Sequence, residues 1–218
     1  MMVDPMLRFI ENKKAIMSLT LSQIGLIIAT GIILVAVFSI CFFNDWQKKA
    51  EIKNITYNLS TKIEGMDTRF FENKTTYYLP DKNFGYNLSI STDYIITKTN
   101  GIWYNKIIYP KFLIRKILPR QNNTDWITGK EFHSFLNDTW ACFGNKTNPI
   151  MKKDVANVKK YIENLYNSAN KSFALNPFYI NNKKAIFIEK IFVYYDLDGN
   201  NIFNKDFDEK NSLLIIYQ

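Results

Sequence analysis

Two cysteines and one histidine are all the soft metal-binding and thiol chemistry in this chain of 218 residues. Cys41 and Cys142 stand far apart and form no Cys-x-x-Cys pair, which excludes the usual zinc and thiol-exchange motifs. A disulfide between them would require the chain to fold back on its hydrophobic run, and two free, buried thiols are the simpler expectation. The lone His133 lies between Phe132 and Ser134 with no second histidine or cysteine nearby, so a structural role is expected of it. Also missing are a Gly-x-Ser-x-Gly elbow, a glycine-rich phosphate loop and a His-Glu-x-x-His zinc motif. Acidic pairs such as Asp206 with Asp208 carry no sign of a pocket that would set them to glycosidase work. The expectation is a protein that is not an enzyme. No internal repeat or low-complexity linker divides it.

Charge is missing over one long stretch. From Ala15 to Phe43 no side chain is charged, with Lys13-Lys14 before the run and Asp45 after it. At ~1.5 Å rise per residue such a helix exceeds the ~30 Å hydrocarbon core, so it is expected to span a membrane with room to tilt. It is about twice the length of a signal-peptide core and should persist in the mature protein. Ser18, Ser22, Gly25, Ala29 and Ala36 recur along one side of it, and Gln23 adds a group suited to bonding across an interface. Small residues are common in membrane helices; the sharper reading is self-association or a partner subunit in the membrane.

No single charge sign marks the orientation. Arg8, Lys13 and Lys14 precede the run, while Lys48, Lys49 and Lys53 follow it. Asn-x-Ser/Thr triplets are more informative: Asn54, Asn58, Asn73, Asn87, Asn122, Asn137, Asn145 and Asn170 all follow the run. Some arise by chance in an Asn-rich chain, but together they favour a short cytoplasmic tail and an extracellular, glycosylated domain. The formal charge is +8, spread along the domain, which suits contact with acidic lipid or glycan and gives no reason to expect nucleic acid.

Lys13-Lys14-Ala15-Ile16-Met17 sets a basic pair and a small residue directly before the apolar run. Here the chain resembles archaeal type IV pilin-like proteins, including the archaellin relatives, whose class III signal is cut on the cytoplasmic side of the apolar helix. The resemblance implies processing at Lys14, Ala15 and Ile16, with a peptidase cutting after Ala15. It also implies other pilin-like subunits as partners. Bacterial pilins carry a glutamate five residues into the mature chain; this sequence has Thr20 there, a departure from the bacterial assembly contact.

Beyond the run, Ile52, Ile55, Leu59, Ile63 and Met66 recur at helical spacing, predicting an amphipathic stalk. The expected organisation is a leader over 1–14, a transmembrane helix over 15–43, a stalk over 44–66 and an extracytoplasmic α+β domain over 67–218. That domain is expected to be mainly antiparallel β with two inserted helices, the pilin-like layout. Predicted strands cover Phe70–Leu79, Tyr86–Thr97, Ile102–Ile108, Phe112–Leu118, Ala185–Asp196 and Ser212–Tyr217, with a two-residue hairpin turn at Asn100-Gly101. Thr128–Leu136 opens with a capping-box pattern, and Val155–Ser172 has helical periodicity.

Two constellations suggest ligands. Asp196, Asp198 and Asn200 lie in a turn rich in oxygen donors that suits calcium, although Asn201 and Phe207 stand where an EF-hand needs Gly and Glu. A solvated Asp-Gly turn explains the same residues without metal. Trp103, Tyr104, Lys106, Tyr109, Lys111, Arg115, Lys116 and Arg120 mix cations with aromatic surface, a composition able to meet an acidic glycan or lipid headgroups. The functional expectation is a membrane-anchored surface protein for assembly or adhesion, with an uncleaved subunit of a hetero-oligomeric membrane complex as the alternative and a surface hydrolase behind both.

Overall fold

The computed structural model describes residues 5–121 and 124–218, with side chains described from Thr20 onward. One uninterrupted helix, α1 (Pro5–Asp67), carries both the apolar run and the periodic stripe. By contacts the chain forms two compact units. The first holds α1 through Gln47 together with Gly101–Asn105, and the second holds Lys48–Asn100 with Lys106–Gln218.

In the first unit the stretch of α1 from Thr20 to Phe43 carries no charged residue and is exposed throughout except at the half-buried Cys41. Leu21, Leu26, Ile27, Ile32, Val35 and Ile40 are all well exposed. The hydroxyls of Thr30 and Ser39 donate to the carbonyls of Leu26 and Val35, both at 2.7 Å, so these polar groups are satisfied within the helix. This helix is long and apolar enough to cross a membrane.

In the second unit the polarity of α1 becomes one-sided. Ile52, Ile55, Leu59, Ile63 and Met66 are at most 2% exposed and share one core with strand residues. α1 ends at Asp67, and its buried stripe is part of the core of this unit. Around it lie two four-stranded sheets. One has the order β1 (Asn73–Tyr77), β7 (Ile186–Tyr195), β8 (Glu209–Tyr217), β5 (Leu118–Pro119); it is mixed, because β5 runs parallel to β8. The other is antiparallel, in the order β4 (Ile107–Phe112), β3 (Tyr94–Thr99), β2 (Tyr86–Ile90), β6 (Phe178–Ile180). Helices α2 (Gly129–Trp140) and α3 (Val155–Leu175) lie between β5 and β6 in the chain.

The first sheet is buried on both faces. Along β7 and β8, Ile186, Ile188, Leu214 and Ile216 join the α1 core, whereas Ile191, Val193, Leu213 and Ile215 join a second core with Phe132 and Leu136 of α2 and Val158 and Ile162 of α3. A strand covered on both sides needs no polar alternation, which explains the unbroken run Leu213–Tyr217.

Three local expectations are corrected. The run Tyr86–Thr97 is two strands, because the chain reverses at Ser91–Asp93, where Ser91 N–H donates to the Tyr94 carbonyl at 2.8 Å. Its buried hydroxyls are satisfied from α3: Ser91 donates to the Phe173 carbonyl and Thr92 to Asn170 Oδ1. Asn100-Gly101 is no two-residue hairpin; pairing resumes only at Thr99 with Ile107. Most of Phe112–Leu118 is irregular, as Arg115 turns to bond Asp67 Oδ1 at 2.7 Å and the Ser212 carbonyl at 2.8 Å.

Candidate functional site

The loop from β7 to β8 gathers Asp196, Asp198 and Asp208, with one oxygen of each within 4.8 Å of the others. The carboxylate of Asp196 is fully buried and accepts the Gly199 and Asn201 N–H groups at 2.6 and 2.8 Å. Burial alone would raise its pKa, but these backbone donors and Asp198 outweigh it and hold the group below the usual aspartate value. Asp208 accepts from Leu197 and Asn204, which ties the far side of the loop to the near side. Asn200 lies beside these carboxylates: its amide donates to Asp198 at 2.8 Å and its side-chain carbonyl accepts the Ile202 N–H at 2.8 Å. Asp208, absent from the expected donor set, comes in because the loop doubles back. As oxygen donors, Asp196, Asp198 and Asp208 are the residues able to hold a hard cation here.

A cavity of about 870 Å³ lies between the β2–β3 ends and the segment after β6. Lys82, Lys98, Lys106 and Lys183 line it, beside Phe84 and Tyr86. Lys82 is paired with Glu51 at 2.7 Å. Tyr86 donates to the Pro80 carbonyl at 2.6 Å, and burial, then Tyr77 and Asp81, push its pKa up to about 12. The phenol is thus a fixed neutral donor, and the cavity's free charge comes chiefly from lysine. Of the basic and aromatic tract, only Lys106 lines this cavity. Arg115 is bound to Asp67, and the buried Arg120 lies over the Trp126 ring at 3.7 Å while donating to the Trp126 carbonyl. The tract therefore does not form one surface.

His133 does have a charged partner. Its Nε2 is 3.6 Å from Glu72 Oε1 and its Nδ1 bonds the Phe143 carbonyl at 2.7 Å, so it links α2 to the segment before β1. Glu72 also accepts the Phe192 N–H, which commits it to structure. Cys41 and Cys142 are both free thiols; Cys142 is buried, and burial pushes its pKa up.

Of the triplet asparagines, Asn54, Asn58, Asn87 and Asn170 are exposed, while Asn73, Asn137 and Asn145 are half-buried. Asn145 Oδ1 is engaged by Thr147 and by the Asn148 N–H, which turns its triplet into a local cap. Asn122 lies outside the described residues, as do the side chains of Lys14, Ala15, Ile16 and Ser18. Ser22, Gly25, Ala29 and Ala36 are exposed on the apolar half of α1, and a Cβ built at Gly25 meets nothing within 4 Å. No family model, curated protein or solved structure matches this chain.

Proposed function

We propose that this chain is a non-enzymatic, single-pass surface protein of the pilin-like kind, with its N-terminus in the cytoplasm and a glycosylated domain outside the cell. The supporting observation is the continuity of α1. An unburied apolar half, suited to lipid or to like helices, passes without a break into a half whose one apolar stripe is buried by β-sheet. An unburied apolar helix of this kind suits a subunit that assembles through its membrane segment. Ser22, Gly25 and Ala29 would form the close-packing face, and Asn54 and Asn58 point to solvent where glycans are tolerated. Together with Lys13-Lys14-Ala15 this favours an archaeal pilin-like subunit over an uncleaved member of a hetero-oligomeric complex.

The test is the N-terminus of the protein from its native membrane, read by intact mass and terminal sequencing. A chain beginning at Ile16 with sugar on Asn54 or Asn58 is expected. An intact first residue would remove the processing step and favour the permanently anchored subunit.

The lysine-lined cavity favours adhesion to an acidic glycan as part of this work. Replacing Lys98, Lys106 and Lys183 by Ser should weaken binding to an immobilised uronate polymer about tenfold or more, with a shallower salt dependence. Equal binding by the variant would separate the cavity from adhesion.

A further inference from the structure

The segment joining β3 to β4 presents Ile102, Trp103 and Tyr104, three consecutive large side chains that are each more than half exposed. Loops that meet only water carry small polar residues, so an exposed apolar triplet calls for an apolar counterpart. The loop is firmly held. One carboxylate oxygen of Asp45 accepts the Ile102 N–H at 2.7 Å, and the other accepts the Trp103 and Tyr104 N–H groups at 2.7 and 2.9 Å. Asp45 is itself buried and is the first charged residue after the apolar run. Gly101 permits the approach, because a Cβ there would lie 2.6 Å from Asp45 Oδ2 and 2.3 Å from the Tyr104 carbonyl oxygen.

The clasp directs Trp103 back along the apolar helix. Its ring meets Phe38 edge-on with centroids 5.2 Å apart, and Ser39 and Phe42 line the same groove. Phe38 lies five positions before the last residue of the run, about 8 Å along the axis at the α-helical rise. Trp46 joins the group from α1, 5.9 Å from Phe43 and likewise more than half exposed.

We propose that Gly101–Asn105 is a second membrane contact, an aromatic anchor clasped by Asp45 to the end of the apolar helix and seated in the headgroup–acyl boundary of the bilayer. The proposal rests on the membrane reading of α1. Its occupant is lipid because Trp103 shares a groove with the exposed Phe38 and Phe42 of the apolar run, and because Trp and Tyr favour that boundary. Such an anchor fixes the depth and rotation of the helix, which the apolar length alone leaves free.

The test uses the full-length protein with fluorotryptophan in phosphatidylcholine nanodiscs, read by fluorine NMR. W103F and W46F assign two resonances, and a Leu34→Trp variant adds a probe in the middle of the apolar run. Lipid spin-labelled near the carbonyl should strongly broaden Trp103, and an aqueous gadolinium chelate should not; Trp126, 1% exposed in the core, should respond to neither. Broadening of Trp103 by gadolinium alone, with the probe at position 34 still broadened by lipid, would overturn the anchor while leaving the membrane helix intact. A position-34 probe untouched by lipid would overturn both. D45A and G101A should each reduce the lipid effect on Trp103 by about twofold or more through loss of the charge-assisted bonds, with position 34 and Trp126 unchanged. Full lipid broadening of Trp103 in both variants would overturn the clasp.

Discussion

His133 and Glu72 together give the domain a pH dependence whose sign follows from their surroundings. Burial disfavours the imidazolium, but the nearby Glu72 carboxylate, the Phe143 carbonyl and the charge of Glu189 outweigh it, so His133 titrates above its ordinary value. Glu72 is likewise raised by burial and lowered more by His133 and the Phe192 N–H, for a net decrease. A raised folded pKa on His133 contributes stability that is complete below the ordinary imidazole range and is lost as pH rises through the folded value. The depressed Glu72 contributes above the ordinary carboxylate range and loses its effect as pH falls through its folded value. The pair's contribution to stability should therefore be greatest between the two ranges. In Glu72→Gln the alkaline decline should flatten, since the carboxylate that raises His133 is gone; an unchanged slope in a pH series of thermal melts would exclude the pair as its source. Thr128 provides a simpler test. Its hydroxyl caps the Glu131 N–H at 3.2 Å, and Glu131 accepts from the Thr128 N–H at 3.4 Å in return and from the Ile127 N–H at 2.8 Å. Thr128→Ala should cost about 0.5–2 kcal/mol, read from chemical denaturation.

At the scale of elements, the buried half of α1 makes the sharpest contrast. Leu59 is fully buried and Tyr57, two positions earlier, is 55% exposed. Leu59→Ala should cost about 2–5 kcal/mol, since deletion leaves a cavity among packed strand residues. Tyr57→Ala should change stability by no more than about 0.5 kcal/mol. Comparable losses in denaturant unfolding of the detergent-solubilised chain would mean that the stripe is not the buried face. Features of this kind were legible in the sequence because they are periodic or local: the stripe, the capping box at Thr128 and the apolar run at the C-terminal strand each carry their signal within a few residues. What escaped depends on distant partners. Asn100-Gly101 reads as a hairpin turn, yet the following backbone N–H groups of Ile102 and Trp103 are bound by the distant Asp45 of α1. The break between β2 and β3 sits on Ser91 and Thr92, whose partners are on α3. Asp208 reaches Asp196 only because the loop doubles back through Asn204, which no spacing rule between Asp196 and Asn200 can show.

At the scale of the molecule, the second unit has two hydrophobic clusters but one sheet common to both. The neighbours Ile215 and Ile216 on β8 face opposite ways, the first into the cluster of α2 and α3, the second into that of α1. Lys190 and Glu189 on β7 repeat the division in polar form: the Lys190 ammonium bonds the Arg69 carbonyl after α1 at 2.7 Å, and Glu189 accepts the Gly129 N–H of α2 at 3.1 Å. Neither cluster can open fully without exposing the strands that the other covers, so the two should unfold as one cooperative unit. Phe132→Ala, wholly within the α2 and α3 cluster, tests this, with an expected loss of about 3–5 kcal/mol. If the clusters are coupled through the shared sheet, amide exchange at Leu88 and Ile95 in the opposite cluster should accelerate by the factor that corresponds to the global loss. Faster exchange confined to α2 and α3, with Leu88 and Ile95 unchanged, would show instead that the α1 core holds the sheet alone and that the helical layer is a separable cover.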